Sequence, residues 1–97
     1  MLVKVHKGYR VCVAVCDSDL IGKKFEDDLR QIDLTGTFFQ GEEKSIEETR
    51  KILFNAKSED ASFNLVGNGA VGLARELGIV GGEVMKIKGV PVALVLL

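Results

Sequence analysis

The residues of this chain that could carry chemistry are few, and the densest group is Gly67-Asn68-Gly69-Ala70-Val71-Gly72. It has the GxGxxG spacing between an apolar run, Ser62 to Val66, and a helical pattern ending at Leu77-Gly78. A strand, a glycine turn and a helix in that order aim several free backbone N–H groups at one point, which suits an anion. Asn68 is placed to cap the first helical turn with its side-chain carbonyl. A dinucleotide site needs more: an acid at the end of the next strand, about 20 residues on, to hold the ribose. That strand here ends Lys86-Ile87-Lys88, and 25 residues after Gly72 are too few for a doubly wound half. The glycines therefore read first as structural and second as a generic anion contact. The same turn is reminiscent of a helix-hairpin-helix DNA binder, but a strand rather than a helix precedes it. Asn64, Gly67, Asn68 and Gly69, with the cationic pair Lys23 and Lys24, are the candidate ligand- or anion-binding residues.

For catalysis the inventory is thinner. His6 is the sole histidine and belongs to a terminal strand. Asp17 and Asp19 follow Cys16 at a strand end, where loops carry function, although helix capping is the commoner role for such acids. Asp17 is the one candidate acid or base, and no nucleophile–base pair assembles around it. Cys12 and Cys16 on one strand lie about 13 Å apart, beyond the roughly 7 Å that a disulfide spans. They share a face with Ala14 and read as small hydrophobes in a reducing compartment. With one histidine and no second cysteine pair, no metal site is expected, and no cofactor.

These residues must be positioned by elements that the pattern predicts in order. Leu2 to Lys7 alternates, Gly8-Tyr9 turns, and Arg10 to Cys16 is a second strand, together an N-terminal hairpin. Both faces of the second strand are apolar, which makes it central. Its small face, Cys12-Ala14-Cys16, is expected under a helix. Asp17 or Ser18 caps a single turn that Gly22 ends, Glu26 to Asp28 is a solvated loop, and a third strand runs from about Leu29 to Leu34. Phe38-Phe39 must bury at least one ring, and Gln40 to Glu43 is exposed loop. Ser45 to Lys57 is a helix announced by a capping box, Ser45-Ile46-Glu47-Glu48. Ile46, Thr49, Leu53 and Ala56, with Ile52 alongside, make its one apolar face, and Glu47 reaches Lys51 at i,i+4. A second helix covers about 68–77. Val84 to Ile87, a Lys88-Gly89 turn and Val90 to Leu97 close the chain as a C-terminal hairpin. The expected fold is α+β in one domain, residues 1–97: a mixed, mainly antiparallel sheet of five to six strands, two main helices (about 45–57 and 68–77) and terminal β-hairpins.

Composition bounds function. A chain of 97 residues with 46% hydrophobic and 28% charged residues is an ordinary small globular domain. A net charge of −1 gives no global pull toward nucleic acid or anionic membrane. No run approaches the roughly 18 apolar residues of a membrane span, so the expected place is the cytoplasm, with no membrane partner. If the two terminal hairpins are neighbours, Lys4, His6, Lys7 and Arg10 join Lys86 and Lys88 in a cationic face suited to RNA phosphates. There is no tryptophan and one tyrosine, Tyr9, to stack bases, which disfavours sequence-specific reading of single strands.

Several stretches taken together resemble an archaeal family of small uncharacterised proteins, domain-of-unknown-function family four-two-four. They are Val15-Cys16-Asp17-Ser18-Asp19-Leu20-Ile21-Gly22-Lys23-Lys24-Phe25, Phe38-Phe39-Gln40-Gly41, Asn64-Leu65-Val66-Gly67 with Ala70-Val71, and Gly89-Val90-Pro91. The likeness spans nearly the whole length. It implies an archaeal cytosolic protein with a housekeeping or translation-related role and no assigned activity or cofactor. Asp17, Gly22, Lys23, Asn64 and Gly67 carry over as site candidates through it. The family often has His and Gln around the alanine after the proline, where this chain reads Pro91-Val92-Ala93-Leu94. Any chemistry of those polar residues is missing at Val92 and Leu94.

Three readings follow. The first is a non-catalytic binding module for RNA or a ribonucleoprotein, through Lys23, Lys24 and the Asn64–Gly69 turn. The second is an enzyme or binder for a small anionic ligand at that turn, with Asp17 beside Gly67. The third is a homo-oligomer joined through the terminal hairpin, whose last strand is apolar on both faces.

Overall fold

The computed structural model describes residues 1–96. Its strands are β1 (Leu2–His6), β2 (Cys12–Cys16), β3 (Lys24–Glu26), β4 (Gln31–Asp33), β5 (Glu42–Glu43), β6 (Ser62–Val66), β7 (Met85–Ile87) and β8 (Val90–Val95). Helices α1 (Ile46–Ser58) and α2 (Asn68–Glu76) flank β6, and Ser18–Leu20 forms one 3-10 turn. Six strands make a sheet in the order β5-β1-β2-β6-β8-β7, and β3-β4 form a separate hairpin. Within the six, β2 and β6 are the parallel pair and the rest are antiparallel. The fold is α+β, as the pattern predicts.

Alternation along the central strands produces two cores. On one face Val13 and Val15 of β2 meet Phe63 and Leu65 of β6, and α1 and α2 cover them with Leu53, Ala56, Ala70, Val71 and Ala74. On the other face Ala14, Cys16, Val66 and Val92 lie beneath Leu34 and Phe39, with Phe25 and Ile32 of the small hairpin packed alongside. The small-residue face of β2 is thus roofed by the hairpin, not by a helix as expected. The β-branched face takes the helices instead. Helix α1 starts at the predicted box: the Ser45 hydroxyl accepts from the Glu48 N–H at 3.1 Å, and Glu48 accepts from the Ser45 N–H at 3.0 Å. Thr49, wholly buried, donates its hydroxyl to the Ser45 carbonyl at 2.8 Å. Ile46, by contrast, is exposed. Glu47 pairs with Arg50 at i,i+3 rather than with Lys51, and Arg50 also bonds Glu76 across to α2 at 2.8 Å.

Three further expectations change. The single strand at Leu29–Leu34 is half of a hairpin, β3 pairing β4 through Phe25↔Ile32. Gln40–Glu43 is not wholly loop, because Glu42–Glu43 adds a short edge strand beside Leu2 and Val3. Gly41 permits this approach, since a Cβ there would lie 2.0 Å from the Val3 carbonyl oxygen. The N- and C-terminal hairpins are separated by β6, leaving β1 and β7 near opposite edges of the sheet, about 19 Å apart at normal strand spacing. Lys4 and His6 therefore do not join Lys86 and Lys88 in one cationic face. The last strand is described as far as Val95, and Leu97 lies outside the described residues. Among the described residues no helix is long and apolar enough to cross a membrane.

Candidate functional site

Because β2 and β6 run parallel in register, Cys16 opposite Val66, their C-terminal ends release the chain at the same edge of the sheet. Asp17 leaves β2 there, still bonded from its N–H to the Val66 carbonyl at 3.0 Å. Gly67 leaves β6 beside it and gives its N–H to the Pro91 carbonyl at 2.9 Å. Gly67 has φ +109° and ψ 159°, a conformation essentially reserved for glycine. It is the N-cap of α2 and has no side chain to satisfy the first amides. Asp17 does so from the neighbouring strand end. Its Oδ2 accepts from the Gly69 N–H at 2.9 Å and its Oδ1 from the Ala70 N–H at 2.8 Å. A carboxylate across the positive end of a helix gains from both the hydrogen bonds and the dipole. Asn68, expected to cap, is instead the first helical residue, exposed to solvent.

A cleft of about 90 Å³ opens beside this cap, lined among others by Asp17, Asp19, Gly67, Asn68, Gly89 and Pro91. It brings Asp17 and Gly67 to one concave surface. Among the described residues its charged lining is the two aspartates. Both oxygens of Asp17 are engaged by backbone, so the amides that would cradle an external anion already hold an internal one. Asn64 stands apart on the sheet face, donating from Nδ2 to the Cys12 sulfur at 3.0 Å. Lys23 and Lys24 are exposed at the start of the small hairpin and do not line the cleft. Of the candidates, Gly67, Asn68 and Gly69 meet Asp17, while Asn64, Lys23 and Lys24 do not join them.

Cys16, just beneath, is fully buried, and burial with Asp17 and Asp19 nearby pushes its thiol up to about 11. A thiol so held stays protonated and inert at neutral pH. Among the described residues no group of three or more His, Cys, Asp or Glu is placed to hold a metal ion.

A second candidate surface lies at the other end of β8, the strand whose two apolar faces lead the sequence reading to a homo-oligomer. Strand β7 pairs with Val90 to Val92, so beyond Val92 one edge of β8 has no strand neighbour among the described residues. Leu94 is 66% exposed and Leu96 82%. A groove of about 560 Å³ runs alongside, walled by Ile79, Val80, Glu83 and Val84 and by Ala93 and Val95. The available signal was the absence of any charge from Val90 to Leu97, which an open edge strand normally carries.

No curated protein matches the chain. A crystal structure of an uncharacterized conserved protein from Methanopyrus kandleri superposes with a TM-score of 0.82 at 25% identity, covering 98% of this chain and 90% of that one. Residues 5–97 match the family described as "Protein of unknown function (DUF424)". With nearly its whole length matched, and the Asp17 and Gly67 segments inside the match, the chain belongs to the DUF424 family.

Proposed function

We propose that this protein is a non-catalytic binding module that engages another polypeptide along the open edge of β8. One observation carries the reading: an uncharged strand edge, unpaired among the described residues, with two exposed leucines and a groove beside it whose walls join Ile79, Val80 and Val84 with the charged Glu83. Natural sheets guard such edges with lysine, proline or a covering loop. An edge left unguarded is suited to β-strand addition, in which main-chain bonds supply affinity and flanking pockets select side chains. The RNA or ribonucleoprotein reading has less behind it. Lys23 and Lys24 sit in a segment, residues 23–33, with three cations and four acids, and the helix terminus meant to assist them is filled by Asp17. A small anionic ligand meets the same obstacle.

The test is to titrate an end-capped peptide of alternating valine and lysine into the isotope-labelled protein. Amide shifts confined to Ala93–Leu96 and the Ile79–Val84 wall support the reading. Shifts absent there, or confined to the Asp17–Gly69 turn, remove it. A parallel titration with single-stranded RNA at low salt tests the other partner, whose binding would weaken steeply as salt rises.

A further inference from the structure

Resting on the open β8 edge just described, we infer that its occupant is a second copy of this chain, paired antiparallel about a two-fold axis at Val95. Charge selects this strand. In a two-fold antiparallel pair each edge meets itself, so any charge close to the axis is set near its own like. The other partly open edge, Lys4 to His6 of β1, carries a lysine and is followed by Lys7. The stretch from Ala93 to Leu96 has no charge at all.

Backbone geometry then sets the register. Lys88-Gly89 is a two-residue hairpin loop, which makes Ile87↔Val90 a hydrogen-bonded pair. By alternation Val90, Val92, Leu94 and Leu96 point their N–H and C=O groups toward the β7 side. The Pro91 carbonyl confirms the phase, since it accepts from Gly67 on the β6 side. The free donors and acceptors on the open edge are thus those of Leu94 and Leu96. An axis at Leu94 would set Leu96 of the partner subunit against Val92, which β7 already occupies through Met85. An axis at Val95 sets Leu94 against Leu96 of the partner subunit and the reverse, which satisfies all four groups of each strand edge pair without displacing β7.

Side chains agree with this register. Leu94 and Leu96 lie on the same face as buried Val92, so the four leucines form one apolar strip. The two Val95 side chains fall on the opposite face, beside the groove walled by Ile79, Val80, Glu83 and Val84. A pair of this length, with its flanking groove, belongs to the small class of interfaces that bury under about 1,200 Å² in total, so association is weak and concentration-dependent.

The test uses sedimentation equilibrium of the full chain from micromolar to millimolar concentration. A monomer–dimer equilibrium is expected in the wild type. Leu94→Lys/Leu96→Lys sets lysine opposite lysine and should weaken it by about tenfold or more. Leu94→Lys/Leu96→Glu sets lysine opposite glutamate in this register and should recover dimer relative to the double-lysine variant. Both positions are exposed, and unchanged far-UV dichroism checks that the variants fold. A wild type that stays monomeric throughout overturns the inference, as do variants that dimerise like wild type or a lysine–glutamate pair that brings no recovery. A monomer whose Leu94 and Leu96 amides still shift with the valine–lysine peptide would overturn self-pairing alone and leave the binding-module reading standing.

Discussion

Substituting Gly67 by alanine tests the turn on which the whole candidate site depends. The new Cβ would sit 2.4 Å from both Cγ and Oδ2 of Asp17 and 2.8 Å from its Cβ. Asp17 cannot retreat freely, because its N–H is tied to Val66. Its carboxylate must therefore leave the Gly69 and Ala70 amides, at the cost of a helix cap, about 1–2 kcal/mol. An L-residue held at φ +109° adds roughly 1–3 kcal/mol of backbone strain. The sum, about 2–5 kcal/mol, is a large share of the roughly 5–15 kcal/mol that holds a small domain together. Gly72 is the control: it is helical and exposed, and nothing lies within 4 Å of the Cβ it would gain. Alanine there should add about 1 kcal/mol of helix propensity. In thermal melts followed by circular dichroism, Gly67→Ala should fall by about 10 °C or more and Gly72→Ala should rise by about 4–8 °C. Asp17→Ala, which removes the cap without the strain, should fall between wild type and Gly67→Ala. A Gly67→Ala protein melting with wild type, or a Gly72→Ala protein falling as far, would refute the turn as described.

Ser45→Ala removes the side-chain half of the α1 capping box and should cost about 1 kcal/mol in urea unfolding. Glu48, the other half, has its carboxyl held below the usual 4.5 by the Ser45 N–H and hydroxyl. A depressed acid stabilises above its unfolded value and loses that contribution as pH falls through the folded one, so Glu48→Gln should flatten the acid limb of the stability curve below about pH 4.5. Cys16, raised from 9.0 to about 11, contributes in the opposite sense: its stabilisation is whole below pH 9 and is lost as pH rises toward about 11. Iodoacetamide at pH 8, read by mass spectrometry, should modify half-exposed Cys12 and leave Cys16 untouched until the protein unfolds. Gly41→Ala forces a Cβ onto the Val3 carbonyl, and should cost about 1–3 kcal/mol and speed amide exchange at the β1–β5 pair.

What was legible in the sequence is what is local. The capping box at Ser45 works within four residues, and the strand, glycine turn and helix at Ser62–Leu77 are one continuous run, so both read directly. The β3-β4 hairpin did not, because its strands are three residues long and turn only Phe25 and Ile32 inward, between polar neighbours. Period-2 alternation needs more residues than that to declare itself. Which layer covers Cys12-Ala14-Cys16 was equally hidden. Small residues permit close approach by anything, and the choice was made by where Leu34 and Phe39 fold back.

The cap at α2 shows why the candidate site was only half readable. A glycine turn opening a helix advertises free amides, from which the sequence alone leads to an external anion. The anion, however, is Asp17, 52 positions earlier in the chain than Gly69. Its identity depends on the parallel register of β2 and β6, which brings the two strand ends together. The carboxylate adjacent to Cys16 and the glycine that leaves room for it are two parts of one structural joint. Since the same contact that completes the fold also fills the site, surface chemistry at this end of the sheet is reduced to a small acidic cleft. The unsatisfied part of the molecule is at the other end, where β7 stops short and β8 continues with its leucines and its main-chain groups open.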